Sequence, residues 1–154
     1  MPSLRLEVKV AATPEQVFAA VVDWPSQGEW MLGTRVWVPE GASGAGVGGR
    51  IEAFSGVGRL GFVDTMTITA WDPPHRVEVD HTGSVVKGTG LMLVEPAADG
   101  TAVFVWGEDL ELPLGVLGRL GWPLVRPFFS AGVRRSLHHF AAYVEAQSGA
   151  TNAV

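Results

Sequence analysis

Three ionisable side chains stand in stretches that otherwise read as strands with an apolar face: Asp64 in LGFVDTMTITAW, His81 in RVEVDH and Glu108 in VFVWGEDL. Each shares its parity with bulky apolar neighbours. Phe62, Met66 and Ile68 go with Asp64, Val77 and Val79 with His81, and Phe104, Trp106 and Leu110 with Glu108. Alternate residues of a strand point to one side, so these choices put two carboxyls and an imidazole in an apolar interior. Burying a carboxylate is costly unless it is paired, and burial raises its pKa, which is how a general acid or base is tuned. Such a trio could orient a hydrophobic carbonyl-bearing ligand or exchange protons with it. The plainer reading leaves Asp64 and Glu108 near strand ends, solvated or paired with Arg59, Arg76 or Arg119, and His81 satisfied beside a turn. A slip of one residue in register would reverse each choice.

The same three side chains are metal-ligand types, but they lie on separate strands with no local spacing motif, so no metal is expected. Gly44, Gly46 and Gly49 spell GxGxxG, yet a dinucleotide loop opens a helix and Arg50–Phe54 reads as strand. No cofactor is called for. Ser130 and Ser136 lack a neighbouring base or a GxSxG setting. His138 and His139 are adjacent on a helix, about 100° apart, and read as solvated surface. The absence of cysteine removes disulfides, thiolate metal sites and cysteine nucleophiles. A formal net charge of -5 offers no basic footprint for nucleic acid. Charged residues are 18% against 47% hydrophobic, so the chain is an ordered globular one.

The candidate site needs strands to carry it and a helix to cover it. Leu4, Leu6, Val8 and Val10 alternate with Arg5, Glu7 and Lys9, which predicts a first strand. Thr13, Pro14 and Glu15 cap a short helix carrying Val17, Phe18, Val21 and Val22, and Ser26–Met31 adds one more helical turn. Strands follow at Thr34–Val38, Arg50–Phe54, Leu60–Trp71, Arg76–Thr82, Val85–Glu95 and Thr101–Leu112, the last two joined across an Asp99-Gly100 hairpin signal. In Pro127–Ala146, Phe129, Val133, Leu137, Phe140 and Val144 recur at helical spacing. The order is strand, two short helices, about six strands and a long helix, without βαβ alternation, which makes the class α+β. Residues 1–147 form one domain in this reading, and 148–154 a frayed tail. Of the six tryptophans, Trp30 and Trp122 are placed at the edge of a cavity mouth and the rest in the core.

The words ATPEQVFAAVVDW, WPSQGEW and MTITAWDPPHRVEVDHTG, together with the long amphipathic C-terminal helix, resemble the START-like, or SRPBCC, superfamily, and within it the bacterial polyketide cyclase/dehydrase and lipid-transport group. The resemblance covers essentially the whole chain. It implies a helix-grip fold, a curved antiparallel sheet of six to seven strands wrapped around the C-terminal helix, with a ligand cavity between them. It carries over no catalytic residue.

The function expected is binding of a small hydrophobic ligand, lipid-like or polyketide-like, in that cavity. Its walls are then Phe62, Met66, Ile68, Val79, Phe104, Trp106, Phe129, Val133, Leu137 and Phe140. One alternative is a polyketide cyclase/aromatase or dehydratase using Asp64, His81 and Glu108 as acid or base. Another is a partner-binding regulatory module presenting Leu112–Phe129. The run Leu112–Val125 reads as a packed lead-in to the long helix rather than a lid. The most apolar window, Leu110–Phe129, is broken by Glu111, Arg119 and Arg126 and by Pro113, Pro123 and Pro127, a poor membrane span. With no signal-peptide pattern at MPSLRLEV, a cytoplasmic monomer or homodimer is expected.

Overall fold

Alternation along the strands decides the sheet. In the computed structural model, which describes residues 3–111 and 115–152, with side chains to residue 149, strand β1 (Ser3–Val10) buries Leu4, Val8 and Val10 and exposes Arg5, Glu7 and Lys9. Helix α1 (Pro14–Val21) and a 3-10 turn (Trp24–Glu29) follow. Then come β2 (Thr34–Trp37), β3 (Arg50–Val57), β4 (Leu60–Asp72), β5 (Arg76–His81), β6 (Lys87–Pro96) and β7 (Ala102–Glu111). Helix α2 (Val116–Asn152) ends the chain. The seven strands form one antiparallel sheet in the order β1-β7-β6-β5-β4-β3-β2. From β2 onward each strand pairs with its successor, and β1 closes onto β7 with Val8 opposite Phe104. The sheet curls into a half-barrel around α2, as the helix-grip expectation requires.

α1 begins where its capping chemistry sits. Gln16 N–H donates to Thr13 Oγ1 at 3.3 Å, and Thr13 N–H donates to Gln16 Oε1 at 3.0 Å, a reciprocal box that satisfies two helix-end donors. The glycine-rich segment before β3 is a loop and opens no helix. A Cβ at Gly44 would stand 2.6 Å from Val38 Cγ2, and the Gly44 carbonyl accepts from Trp24 Nε1 at 2.7 Å. Packing against Trp24, not a phosphate, accounts for that glycine.

α2 departs from the sequence-based bounds at both ends. It runs straight through Pro123 and Pro127, although an interior proline removes one backbone hydrogen bond and crowds the preceding turn. The two prolines are four residues apart, hence on one side, and both they and Arg119, one turn before Pro123, are exposed, so this stretch of the helix lies open to water. The expected packed lead-in is corrected accordingly. Leu117, Leu120 and Leu124 are 71%, 70% and 76% exposed, so the side of the helix that carries them is not packed. Residues 112–114 lie outside the described residues. At the other end, the frayed tail expected from Ser148 is also corrected: Ser148 is buried, with Oγ donating to Gln16 Oε1 at 3.1 Å, and the helix continues to Asn152.

The core lies under the second half of α2. Trp30, Phe104 and Phe140 meet with ring centroids 4.6 to 6.4 Å apart, and Trp106 joins at 6.3 Å from Trp30. Trp30 is 2% exposed, so it belongs to the core and not to a cavity mouth. Trp122 is half-buried and packs on Phe129 at 5.9 Å. Ser136, buried in α2, accepts from the Leu32 N–H at 3.1 Å and donates to the Gly132 carbonyl at 3.0 Å, a role in tying the helix to the loop before β2.

Candidate functional site

Between the inner face of the sheet and the first apolar residues of α2 after Pro127 lies a cavity of about 180 Å³. Its walls include Phe62 and Met66 from β4, Val79 from β5, Trp106 from β7, and Phe129 and Val133 from α2. Among the described residues that line it, the only ionisable ones are Asp64, His81 and Glu108. Their convergence follows from register. Met66 pairs with His81, so Asp64 is the diagonal neighbour of His81 on the same face. On the far side, Val79 pairs with Gly90 and Gly90 with Glu108, so one strand separates the His81 and Glu108 backbones.

Asp64 is 6% exposed, and its Oδ2 lies 2.6 Å from His81 Nδ1. An ionised carboxylate can only accept, so Nδ1 carries the proton and Nε2 is the free vertex of the ring. Burial by itself lowers the His81 pKa, but the hydrogen bond to Asp64 and the charges of Asp64, Glu108 and Asp80 together hold it above its ordinary value of 6.5. Glu108 retains some accessible surface, as a cavity-lining residue must, yet its carboxyl is deep enough that burial raises its pKa from 4.5 to about 7. His81 and the Trp106 indole N–H oppose that rise, and Asp64 adds to it. The indole N–H acts on the Glu108 carboxyl without reaching full hydrogen-bond geometry. The solvated or arginine-paired alternative does not describe this arrangement. Arg76 is paired with Glu78 instead.

Six of the ten apolar residues expected to wall the cavity line it: Phe62, Met66, Val79, Trp106, Phe129 and Val133. Ile68, Phe104, Leu137 and Phe140 do not, being core residues 0% to 1% exposed. They belong to the packed core, where Trp30 fills the space beside Phe104 and Phe140. In β4 the register shifts between Ile68 and Ala70, which reverses parity and turns Trp71 inward against Phe18 at 5.8 Å.

Gly90 has no side chain to do chemistry, and the sequence-based site leaves it out although it lines the cavity. A Cβ at Gly90 would stand 2.9 Å from Val79 Cγ2 and 3.5 Å from His81 Nε2. The signal for it is present in the sequence, since a glycine inside a strand marks a place where something approaches the backbone closely.

The fold agrees with those of known proteins. The crystal structure of TTHA0849 from Thermus thermophilus superposes with a TM-score of 0.75 at 21% identity, covering 96% of this chain and 99% of that one. The solution structure of the Polyketide_cyc-like protein Cgl2372 from Corynebacterium glutamicum gives 0.61 at 19% identity, covering 96% and 95%. In sequence, the uncharacterized protein Rv1546 of Mycobacterium tuberculosis is 34% identical over 150 residues, covering 92% of this chain and 97% of that protein. Residues 1–145 match the family described as polyketide cyclase / dehydrase and lipid transport, and with both the fold and nearly the full length in agreement, the chain belongs to that family.

Proposed function

We propose that this protein binds a small, largely apolar ligand in the cavity between β4–β7 and α2, with an oxygen function of the ligand directed at Asp64, His81 and Glu108. The observation that carries the reading is the lining itself, mostly apolar, with one convergent ionisable trio and Gln27, Thr34 and Ser55 as further polar side chains. Family membership supports it. The enclosed space is below the roughly 300–1,000 Å³ of drug-sized sites, and close to the roughly 150 Å³ at which an apolar protein cavity takes up benzene. The part of the ligand held there is therefore ring-sized or a short chain, and anything longer extends out of the cavity. Native mass spectrometry of freshly purified protein tests this. A bound small molecule that is displaced by added hydrophobe supports the reading, and a protein that neither carries nor takes up any apolar molecule overturns it.

A second reading, turnover of the ligand by cyclisation or dehydration, is favoured by a particular feature: a carboxyl with a pKa near 7 facing an imidazole whose pKa is raised. Under it, Glu108→Gln keeps ligand affinity and abolishes turnover. Equal affinity with no turnover in either form would remove the catalytic role and leave the binding one.

A further inference from the structure

The polar end of the cavity contains three buried atoms without a hydrogen-bond partner: His81 Nε2, Asp64 Oδ1 and Trp106 Nε1. All three belong to cavity-lining residues. Buried polar groups are almost always satisfied, so such a cluster marks a place that a ligand atom completes. Gly90 leaves the ground beside His81 Nε2 open, since a side chain there would come against that atom. Glu108 stands directly across from Gly90, and Trp106 is two residues before it on the same face of β7.

The inventory of this pole is specific. The Trp106 indole can only donate. His81 has committed Nδ1 to Asp64, so Nε2–H is its outward donor when the ring is charged, a form its raised pKa favours. Glu108 can hold or release a proton near neutrality. The charged groups facing His81 are Asp64 from β4, Glu108 from β7 and Asp80 from its own strand; among the described residues no Lys or Arg lines the cavity. A carboxylic acid would arrive as an anion against two carboxylates and one imidazolium, and an amine would compete with that imidazolium for Asp64. A neutral hydroxyl that can lose its proton meets neither penalty.

We infer that the pole over Gly90 is a subsite for a weakly acidic ring hydroxyl, a phenol or enol, whose oxygen accepts from His81 Nε2–H and Trp106 Nε1–H while its proton passes to the Glu108 carboxylate. The O–H bond of the ligand breaks, a carboxylic O–H forms on Glu108, and the total charge of site and ligand is unchanged. The inference rests on the binding reading above and names the ligand class for the same cavity. It also fits the space of about 180 Å³, which suits a single substituted ring.

The test uses the purified full chain with 4-methylphenol, 4-chlorophenol and 4-nitrophenol, similar in size and graded in acidity, and 4-nitrotoluene as the ring without a hydroxyl. Binding is read by calorimetry, and ionisation by the gain in the phenolate absorption band over that of free 4-nitrophenol, in buffer at about pH 7, where part of Glu108 is still a carboxylate. Affinity should rise about tenfold or more from 4-methylphenol to 4-nitrophenol, about 1.4 kcal/mol per tenfold, with the phenolate band growing on binding. His81→Gln and Glu108→Gln, checked for folding by near-ultraviolet circular dichroism, should each abolish that gain and flatten the dependence on acidity. If a variant does not fold, the wild-type series decides. Equal affinity for 4-nitrotoluene and 4-nitrophenol, without the gain, overturns the subsite and leaves the binding reading standing. A gain that survives both substitutions also overturns it. Failure of all four probes to bind overturns both.

Discussion

At the residue scale, the Asp64–His81 contact sets the protonation of the site. Because burial lowers the His81 pKa and Asp64 raises it, Asp64→Asn should leave burial as the dominant influence. The His81 midpoint, followed by NMR of the ring protons, should fall by about one unit or more, the usual effect of losing an adjacent opposite charge. An unmoved midpoint would show that Asp64 is not the controlling partner. Glu108 gives a second, signed prediction. Its folded pKa of about 7 lies above its ordinary 4.5, so the folded state binds more protons than the unfolded one between those values. The contribution is fully present below about pH 4.5 and is lost as pH rises to about 7. The loss is on the order of 3 kcal/mol at about 1.36 kcal/mol per unit. His81, whose pKa is also raised, loses its contribution in the same direction as pH climbs above 6.5. Urea unfolding across pH 5 to 8 should therefore show wild-type stability falling and Glu108→Gln falling much less. Parallel curves for the two proteins would contradict the burial of that carboxyl.

At the scale of elements, α2 is two helices in one. Its second half buries Leu137, Phe140 and Val144, while its first half leaves Leu120, Leu124 and Phe128 in the open. Phe140→Ala should cost about 3–5 kcal/mol, as truncation of a fully buried aromatic does. Leu124→Gln should stay within about 0.5 kcal/mol of wild type, because an exposed side chain loses little. Denaturant midpoints measure both, and a large cost at Leu124 would mean that this half of the helix is covered in solution. Gln16 joins the cap of α1 to Ser148 near the end of α2. Gln16→Ala removes both bonds and should destabilise by about 1–2 kcal/mol, the range for a lost cap.

At the scale of the molecule, the curled sheet and α2 leave a ring-sized space beside a solid aromatic core. Val133, 7% exposed and on the cavity wall, controls that space. Val133→Phe should lower affinity for a benzene-sized probe about tenfold or more while leaving thermal stability equal or higher, since the added ring fills a void. Undiminished binding in a folded variant would place the ligand elsewhere. Among the described residues no helix is long and apolar enough to cross a membrane. The acidic balance of -5 leaves α2's open face with Arg119 and Arg126 as its nearby cations in the sequence.

Local patterning determined much of this. Two-residue alternation placed Asp64, His81 and Glu108 on inward faces, because a strand reverses its side chains at every step and one buried face then fixes the parity. The Thr13 cap and the apolar stripe of α2 were legible for the same kind of reason, being set by neighbours within one or two turns. Depth along the groove was not legible. Phe104 and Met66 carry the same signal of inward parity, and only Trp30, far away in sequence, makes one of them core and leaves the other on a cavity wall. Nor could a proline rule drawn from local sterics foresee that α2 continues through Pro123 and Pro127, because the cost of each break depends on whether water reaches the freed carbonyl. The meeting of Asp64 with His81 at 2.6 Å, and the opening over Gly90, are products of pairing between strands. Their register is decided by the whole sheet and by no single stretch of the chain.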